Sequence, residues 1–229
     1  IEIPMLQKMR IRYYQIDFDT KNPLTIDNWN AYKELKQVLE NGYDIIHCHT
    51  PIAGMIVRLA AVKYRKKGTK VIYTTHGFTF TEYSSKKKWF VYYNIEKFMS
   101  RFCDVIITIN HEDYNNAKKM HCKKVFLIPG VGLKTCNFRN IKINRDEYRK
   151  KLGAKSDDIV ILAVGELSER KNQQIIIKAL SILPDREKYI FLICGRAVVN
   201  STLDKQLKQM AKKMGVRIEL LGHRSDIPQ

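Results

Sequence analysis

The feature that most constrains the fold is a rhythm. Short runs of β-branched and other apolar residues alternate with longer segments of helical periodicity. The runs Ile11–Phe18, Asp44–Cys48, Lys70–Thr75, Asp104–Ile109, Lys124–Ile128, Ile159–Val164, Tyr189–Cys194 and Arg217–Leu221 have the length and make-up of strands. Between them, apolar residues recur three and four apart. In Asp27–Asn41 the stripe is Tyr32, Leu35, Val38 and Leu39, with Asp27 as the expected cap and Gly42 as the stop. Ala53–Lys66 and Asn172–Leu183 repeat the pattern, the latter with Ile175, Ile176, Ala179 and Leu180 facing inward. Continuous apolar strands alternating with helices imply parallel sheets covered on both faces. The expected class is α/β, in which ligands bind at the carboxyl ends of strands.

The rhythm breaks between Ile128 and Ile159. There "PGVGLKTCNF" leads into a polar stretch that holds one short helix near Asn144–Leu152, stopped at Gly153. The break predicts two α/β domains, 1–133 and 134–229, the second carrying the linker and only three strands. No internal repeat is present.

Composition narrows the partners. Lys and Arg number 41 against 23 Asp and Glu, a formal charge of +18, which calls for an anionic partner. The densest clusters are "KYRKKGTK" (Lys63–Lys70), "KKK" (Lys86–Lys88) and "KQLKQMAKK" (Lys205–Lys213); each also suits a merely solvated helix face. Aromatic–basic interleaving and helix-turn-helix patterning are missing, so nucleic acid is not expected as the partner. No run reaches the ~18–20 apolar residues of a bilayer span, and "IEIPMLQKMR" lacks a secretory pattern. The expected location is cytoplasmic. The five cysteines are scattered without a CxxC pair, which fits reduced thiols better than a zinc ribbon or a disulfide framework.

Three strand-to-helix loops carry chemistry. "YTTHGFTF" sets His76 and Gly77 directly after a strand. There an imidazole can meet a ligand hydroxyl or a reacting centre, or simply fill the loop. "VGELSERKN" ends a strand in Gly165 and places Arg170 and Lys171 immediately before a helix. Two cations, a glycine and helix N-terminal amides suit a phosphate or diphosphate, though an exposed basic turn reads the same way. It is neither GxxxxGK[ST] nor GxGxxG. "ICGR" puts Gly195 after the next strand, a weaker sign of the same crevice.

A fourth stretch, "DIIHCHTP", sets His47 and His49 two apart at a strand end, on one face. That supplies two zinc ligands and no third at a suggestive spacing. Cys48 faces the other way and reads as a small core residue, which disfavours a cysteine–histidine nucleophile.

These stretches, with "CDVIITIN", "VFLIPGVG", "FLICG" and "IELLGHRSDIP", resemble family 4 glycosyltransferases of the GT-B fold, of the bacterial capsule or exopolysaccharide type. The likeness runs in order from about Ile11 to the last residue. It implies two Rossmann-like domains, the second incomplete, and transfer of a sugar from a nucleotide-sugar donor with retention of configuration. Domain 1–133 would take the acceptor side and 134–229 the donor nucleotide. It further implies that Lys171, beside Arg170 and Gly165, contacts the donor diphosphate, that His76 lies next to the transferred sugar, and that Gly195 lines the donor crevice. His49 and Gly77 would line the acceptor side, and His47 would be structural. Neither metal nor cofactor is implied. The acceptor would be a glycan or a polyprenyl-diphosphate-linked lipid, reached from the anionic inner leaflet as a peripheral membrane protein.

The chain departs from that family pattern in three places. Glu166 stands where many relatives have arginine. The Gly-rich loop after the first strand would lie upstream, and a spaced pair of glutamates would lie beyond Gln229. An incomplete enzyme is therefore expected, with a catalytically silent fragment as the alternative.

Overall fold

The computed structural model describes residues 3–20, 22–130, 132–197 and 201–228. Two compact units divide the chain, Ile1–Gly132 and Leu133–Gln229. The first holds α1 (Ile3–Lys8), α2 (Ile26–Leu39), β1 (Ile45–His49), α3 (Pro51–Ala60), α4 (Val62–Arg65), β2 (Lys70–Thr74), α5 (Lys86–Met99), β3 (Val105–Thr108), α6 (His111–Ala117) and β4 (Lys124–Leu127). The second holds α7 (Cys136–Arg139), α8 (Arg145–Lys151), β5 (Ile159–Val164), α9 (Gln174–Ser181), β6 (Tyr189–Cys194), α10 (Leu203–Met214) and β7 (Arg217–Gly222). Both sheets are parallel throughout, in the orders β1-β2-β3-β4 and β5-β6-β7.

Seven of the expected strands form, each within one residue of its expected ends. Ile11–Phe18 does not. A run of strand composition becomes a strand only where a neighbour completes its backbone hydrogen bonds. Here β1 is the edge of its sheet, and Ile11, Arg12 and Tyr14 are separated from Ile45 and Ile46 by a cavity of about 590 Å³. The helices also shift. Thr25, not Asp27, caps α2, its Oγ1 accepting from the Asn28 amide at 3.3 Å. Ala53–Lys66 becomes two helices that start earlier, at Pro51, whose fixed φ suits a first helical position.

The core of the first unit packs Ile46, Cys48, Val71, Tyr73, Phe80 and Ile106 between the helices. Arg58 is fully buried in it. Its guanidinium stacks 4.1 Å from the Tyr73 ring centroid and donates to Glu96 at 3.0 Å and to the Gly54 carbonyl at 3.0 Å. This ties α3 and α5 to β2. Burial pushes the Glu96 carboxyl up, against the pull of Arg58. All five cysteines are free thiols, four of them buried.

In the second unit the core gathers Ile177, Leu180, Phe191, Ile193, Leu207 and Ala211. Asp158, just before β5, locks the far end of this sheet. Both its oxygens accept from Arg217 on β7, at 2.5 and 2.8 Å, and one also accepts from the Lys155 amide at 2.6 Å. The Arg217 hydrogen bonds hold this carboxyl at about 2, below the ~3.9 of an unperturbed aspartate. The unfolded chain therefore binds more protons between those values. The contribution is complete above about pH 4 and is lost as pH falls toward 2. Replacing Asp158 by alanine removes the carboxylate partner of Arg217 and leaves it only the Glu187 carbonyl, and should cost about 1–3 kcal/mol. Urea unfolding followed at pH 7 and pH 3 checks this, with the gap between wild type and variant narrowing at the lower pH.

Candidate active site

In the first unit the candidate residues sit where β1 and β2 end. The pleat of β1 buries Ile46 and Cys48 and exposes His47 and His49. Cys48 is 4% exposed, and burial raises its thiol to about 11, far from the range of a nucleophilic thiolate. His47 is held by Thr74, Nε2 to Oγ1 at 2.8 Å. His49 lies opposite Thr74 in the strand register. That brings it to His76, with Nδ1 of His49 and Nε2 of His76 3.1 Å apart. Directly after His49, Thr50 adopts φ +63°, a strained conformation for a β-branched residue. It opens onto an apolar cavity of about 430 Å³ lined by Thr50, Pro51, Ile52, Met55, Tyr92 and Ile95 among others.

The loop that carries His76 is anchored on both sides. Before it, the buried Thr75 donates its amide to Ile107 of β3 at 3.0 Å. After it, Phe78 and Phe80 are buried and stacked at 4.9 Å, and Phe80 meets Trp89 and Tyr93 of α5 edge-on. Gly77 lets the chain turn between these anchors at φ +125°. Asp113 completes the hold: Oδ2 accepts from the Phe78 amide at 3.2 Å and from Asn110 at 2.7 Å. Burial raises this carboxyl against those two bonds. The sequence reading missed Asp113. The signal was present in "NHED", because Asn110 caps α6 and an acidic residue three positions on has capping-box spacing.

In the second unit all three strands end in glycine at positive φ: Gly165 (+151°), Gly195 (+156°) and Gly222 (+66°). The strand ends bond across these glycines, Gly165 to the Cys194 carbonyl at 2.9 Å and Gly195 to the Gly222 carbonyl at 2.8 Å. After β5 the stem of Lys171 folds over Gly165: a Cβ there would lie 3.7 Å from Lys171 Cε. Arg170 pairs with Glu166 at 3.3 Å, both exposed.

One expectation about this loop is corrected. The helix begins at Gln174, not Asn172. The amides of Lys171 and Asn172 already bond to the Ser168 carbonyl, at 3.0 and 3.1 Å, and Asn172 then turns the chain at φ +49° ahead of the helix. These two amides are thus not among the donors a ligand can use. The loop does hold other unused capacity: Ser168 Oγ and Gln173 Oε1 are buried without a hydrogen-bond partner. Neither side chain was singled out in the sequence. Among the described residues no group of three or more His, Cys, Asp and Glu is placed to hold a metal ion.

Residues 8–130 match the family model described as Glycosyltransferase Family 4, and residues 144–229 match that described as Glycosyl transferases group 1. The chain belongs to glycosyltransferase family 4. Among curated proteins this family 4 chain is 36% identical over 214 residues to a putative glycosyltransferase, EpsD, of Bacillus subtilis (strain 168), covering 90% of this chain and 55% of that one. It is 32% identical over 211 residues to the UDP-Gal:alpha-D-GlcNAc-diphosphoundecaprenol alpha-1,3-galactosyltransferase of Escherichia coli, covering 87% and 51%. The chain thus spans about half the length of the curated relatives it matches. Among solved structures, Anabaena HepE in complex with UDP superposes with a TM-score of 0.73 at 21% identity, over 98% of this chain and 59% of that one. The fold is of GT-B type, in two α/β units with the second the smaller.

Gly195 gives a sharp test of the glycine-ended sheet. A Cβ at this position would stand 1.8 Å from the Gly165 carbonyl oxygen and 2.7 Å from its carbon, so the backbone itself would have to move. Gly195→Ala should lose about 3 kcal/mol or more. Thermal melting checks it, set beside Gly42→Ala, where nothing lies within 4 Å of the added carbon and only the φ of +76° is strained.

Proposed function

We propose that this chain is part of an enzyme that moves a sugar from a nucleotide-sugar donor to an acceptor hydroxyl with retention of configuration. The observation that carries the reading is the loop Gly165–Lys171. It is a strand end in a family 4 chain where a lysine stem lies against a glycine and a second cation stands beside it. A departing nucleoside diphosphate gathers negative charge as the glycosidic bond breaks, and a fixed cation stabilises that charge more in the transition state than in the ground state. Lys171 takes this role, with Arg170 as its neighbour once it leaves Glu166. Gly165 and Gly195 allow close approach of the backbone. Ser168 and Gln173 offer the loop's unused hydrogen-bonding atoms. His76 is the residue beside the transferred sugar, and Gly77 and His49 belong to the acceptor side. The reading assigns no metal and no cofactor. Uridine diphosphate as the donor's nucleotide is supported by the ligand of HepE and by the donor in the printed name of the E. coli relative.

A lipid-linked acceptor is supported by that same relative's name and by the outer face of α5. Phe90 is 66% exposed and Phe98 51%, with Val91 and Ile95 also exposed between them. Lys86, Lys87 and Lys88 stand exposed in the first turn of the same helix. Apolar side chains under a basic cluster suit an anionic bilayer surface, each lysine adding about 1 kcal/mol near it. No described helix is long and apolar enough to cross a membrane. The proposed place of work is the cytoplasmic face, by peripheral attachment.

Two outcomes follow. Lys171→Ala should weaken uridine diphosphate binding about tenfold to a hundredfold, the worth of a charge-assisted contact; titration calorimetry showing unchanged affinity removes Lys171 from the site. The wild-type chain should sediment with vesicles of phosphatidylglycerol and phosphatidylcholine at low salt, and the double variant Phe90→Ser, Phe98→Ser should lose most of that binding. Equal binding by both proteins would clear α5 of the role.

A further inference from the structure

His76 has two ring nitrogens, and one of them is already engaged. Its Nε2 lies 3.1 Å from Nδ1 of His49, and the two rings meet edge to edge, with centroids 5.2 Å apart and planes inclined by 26°. Strand register produces the contact, since His49 sits opposite Thr74 and His76 follows two residues later. His47, two residues back along β1, also packs against His49, ring centroids 4.3 Å apart, and is itself tied to Thr74. His49 is therefore held by one neighbour and bonded to the other.

Two imidazole nitrogens at this distance share a single proton: one must donate and the other accept. Partial desolvation against its neighbours, followed by the charges of His47 and His76, holds His49 below the ordinary imidazole range. Those two histidines are the titratable groups that act on it. A neutral His49 carrying its proton on Nε2 presents a bare Nδ1 to its partner.

We propose that His49 is a positioning residue for His76: its Nδ1 accepts the His76 Nε2 proton, which fixes the orientation and tautomer of the His76 ring and leaves Nδ1 of His76 to meet the sugar. This rests on the reading of His76 as the residue beside the reacting centre. In the neutral ring that Nδ1 accepts from a sugar hydroxyl. A His76 that gains a proton turns the same nitrogen into a donor and keeps its bond to His49. His49 thus keeps its place on the acceptor side and also supports the His76 ring.

Histidine-labelled protein tests this by nitrogen-15 NMR. The wild-type chain should show a scalar coupling between Nε2 of His76 and Nδ1 of His49 across the hydrogen bond, with the intervening proton slow to exchange. His49→Ala should abolish the coupling and speed exchange of that proton at least about tenfold. His49→Asn, whose side-chain oxygen can stand where Nδ1 stood, should keep the proton protected. In transfer assays on the full polypeptide, His49→Ala should lower kcat about tenfold to a hundredfold with little change in donor KM, and His49→Asn should restore most of it. Absence of the coupling in the wild type overturns the proposal, as does equal protection in the alanine variant. A His76→Ala variant with undiminished kcat overturns the reading of His76 instead, and the NMR coupling separates the two failures.

Discussion

The parallel pairing of β1 with β2 is the interaction on which the rest of the first unit depends. Parallel strands put all their carboxyl ends at one edge, so the residues that follow them share a surface without being near in sequence. One register does the specific work. With His49 opposite Thr74, His47 reaches Thr74, His49 reaches His76, and Cys48 turns into the core. A slip of one residue would reverse every one of these directions. The buried Arg58 maintains that arrangement from beneath, because it joins α3 and α5 to Tyr73 of β2. A buried charge of this kind is held by geometry: removing Glu96 alone would strand a guanidinium in the core.

The second unit solves the same problem with glycine. Its three strands all end in residues at positive φ, and at Gly195 the neighbouring backbone comes too close for any side chain. Close backbone approach at strand ends leaves room above them, where the proposed reading sets the donor's phosphates. Lys171 takes part of that room, folded over Gly165. At the opposite end of the sheet, Asp158 and Arg217 link the start of β5 to β7.

Most of the architecture was legible in the sequence, since continuous apolar runs of strand length can be buried only in a covered parallel sheet. Ile11–Phe18 shows where that reading stops. Its composition is that of a strand, but a strand is a property of a pair, and the edge of β1 does not pair with it. The cap of α2 shows a smaller version. Asp27 and Thr25 both carry cap chemistry, and only the backbone angle at Thr25 decides between them. Asp113 was legible in principle, as the second half of a capping box, although its bond to Phe78, thirty-five residues away, was not.

For the site, the sequence by itself determined which residues stand at strand ends: His49, His76, Gly165, Lys171 and Gly195 all follow from counting apolar runs, because those runs end where the polar residues begin. It determined the family as well, through motifs in a fixed order. Tertiary structure alone decided what these residues touch. It turned "HCH" from two outward histidines into a chain of contacts leading to His76, and it showed that the amides after Arg170 are consumed by Ser168. The physical reason is the same in both cases. Which face a side chain takes depends on local periodicity, which a sequence displays, whereas its partner depends on register and turn angles, which come into being only when strands pair and loops close.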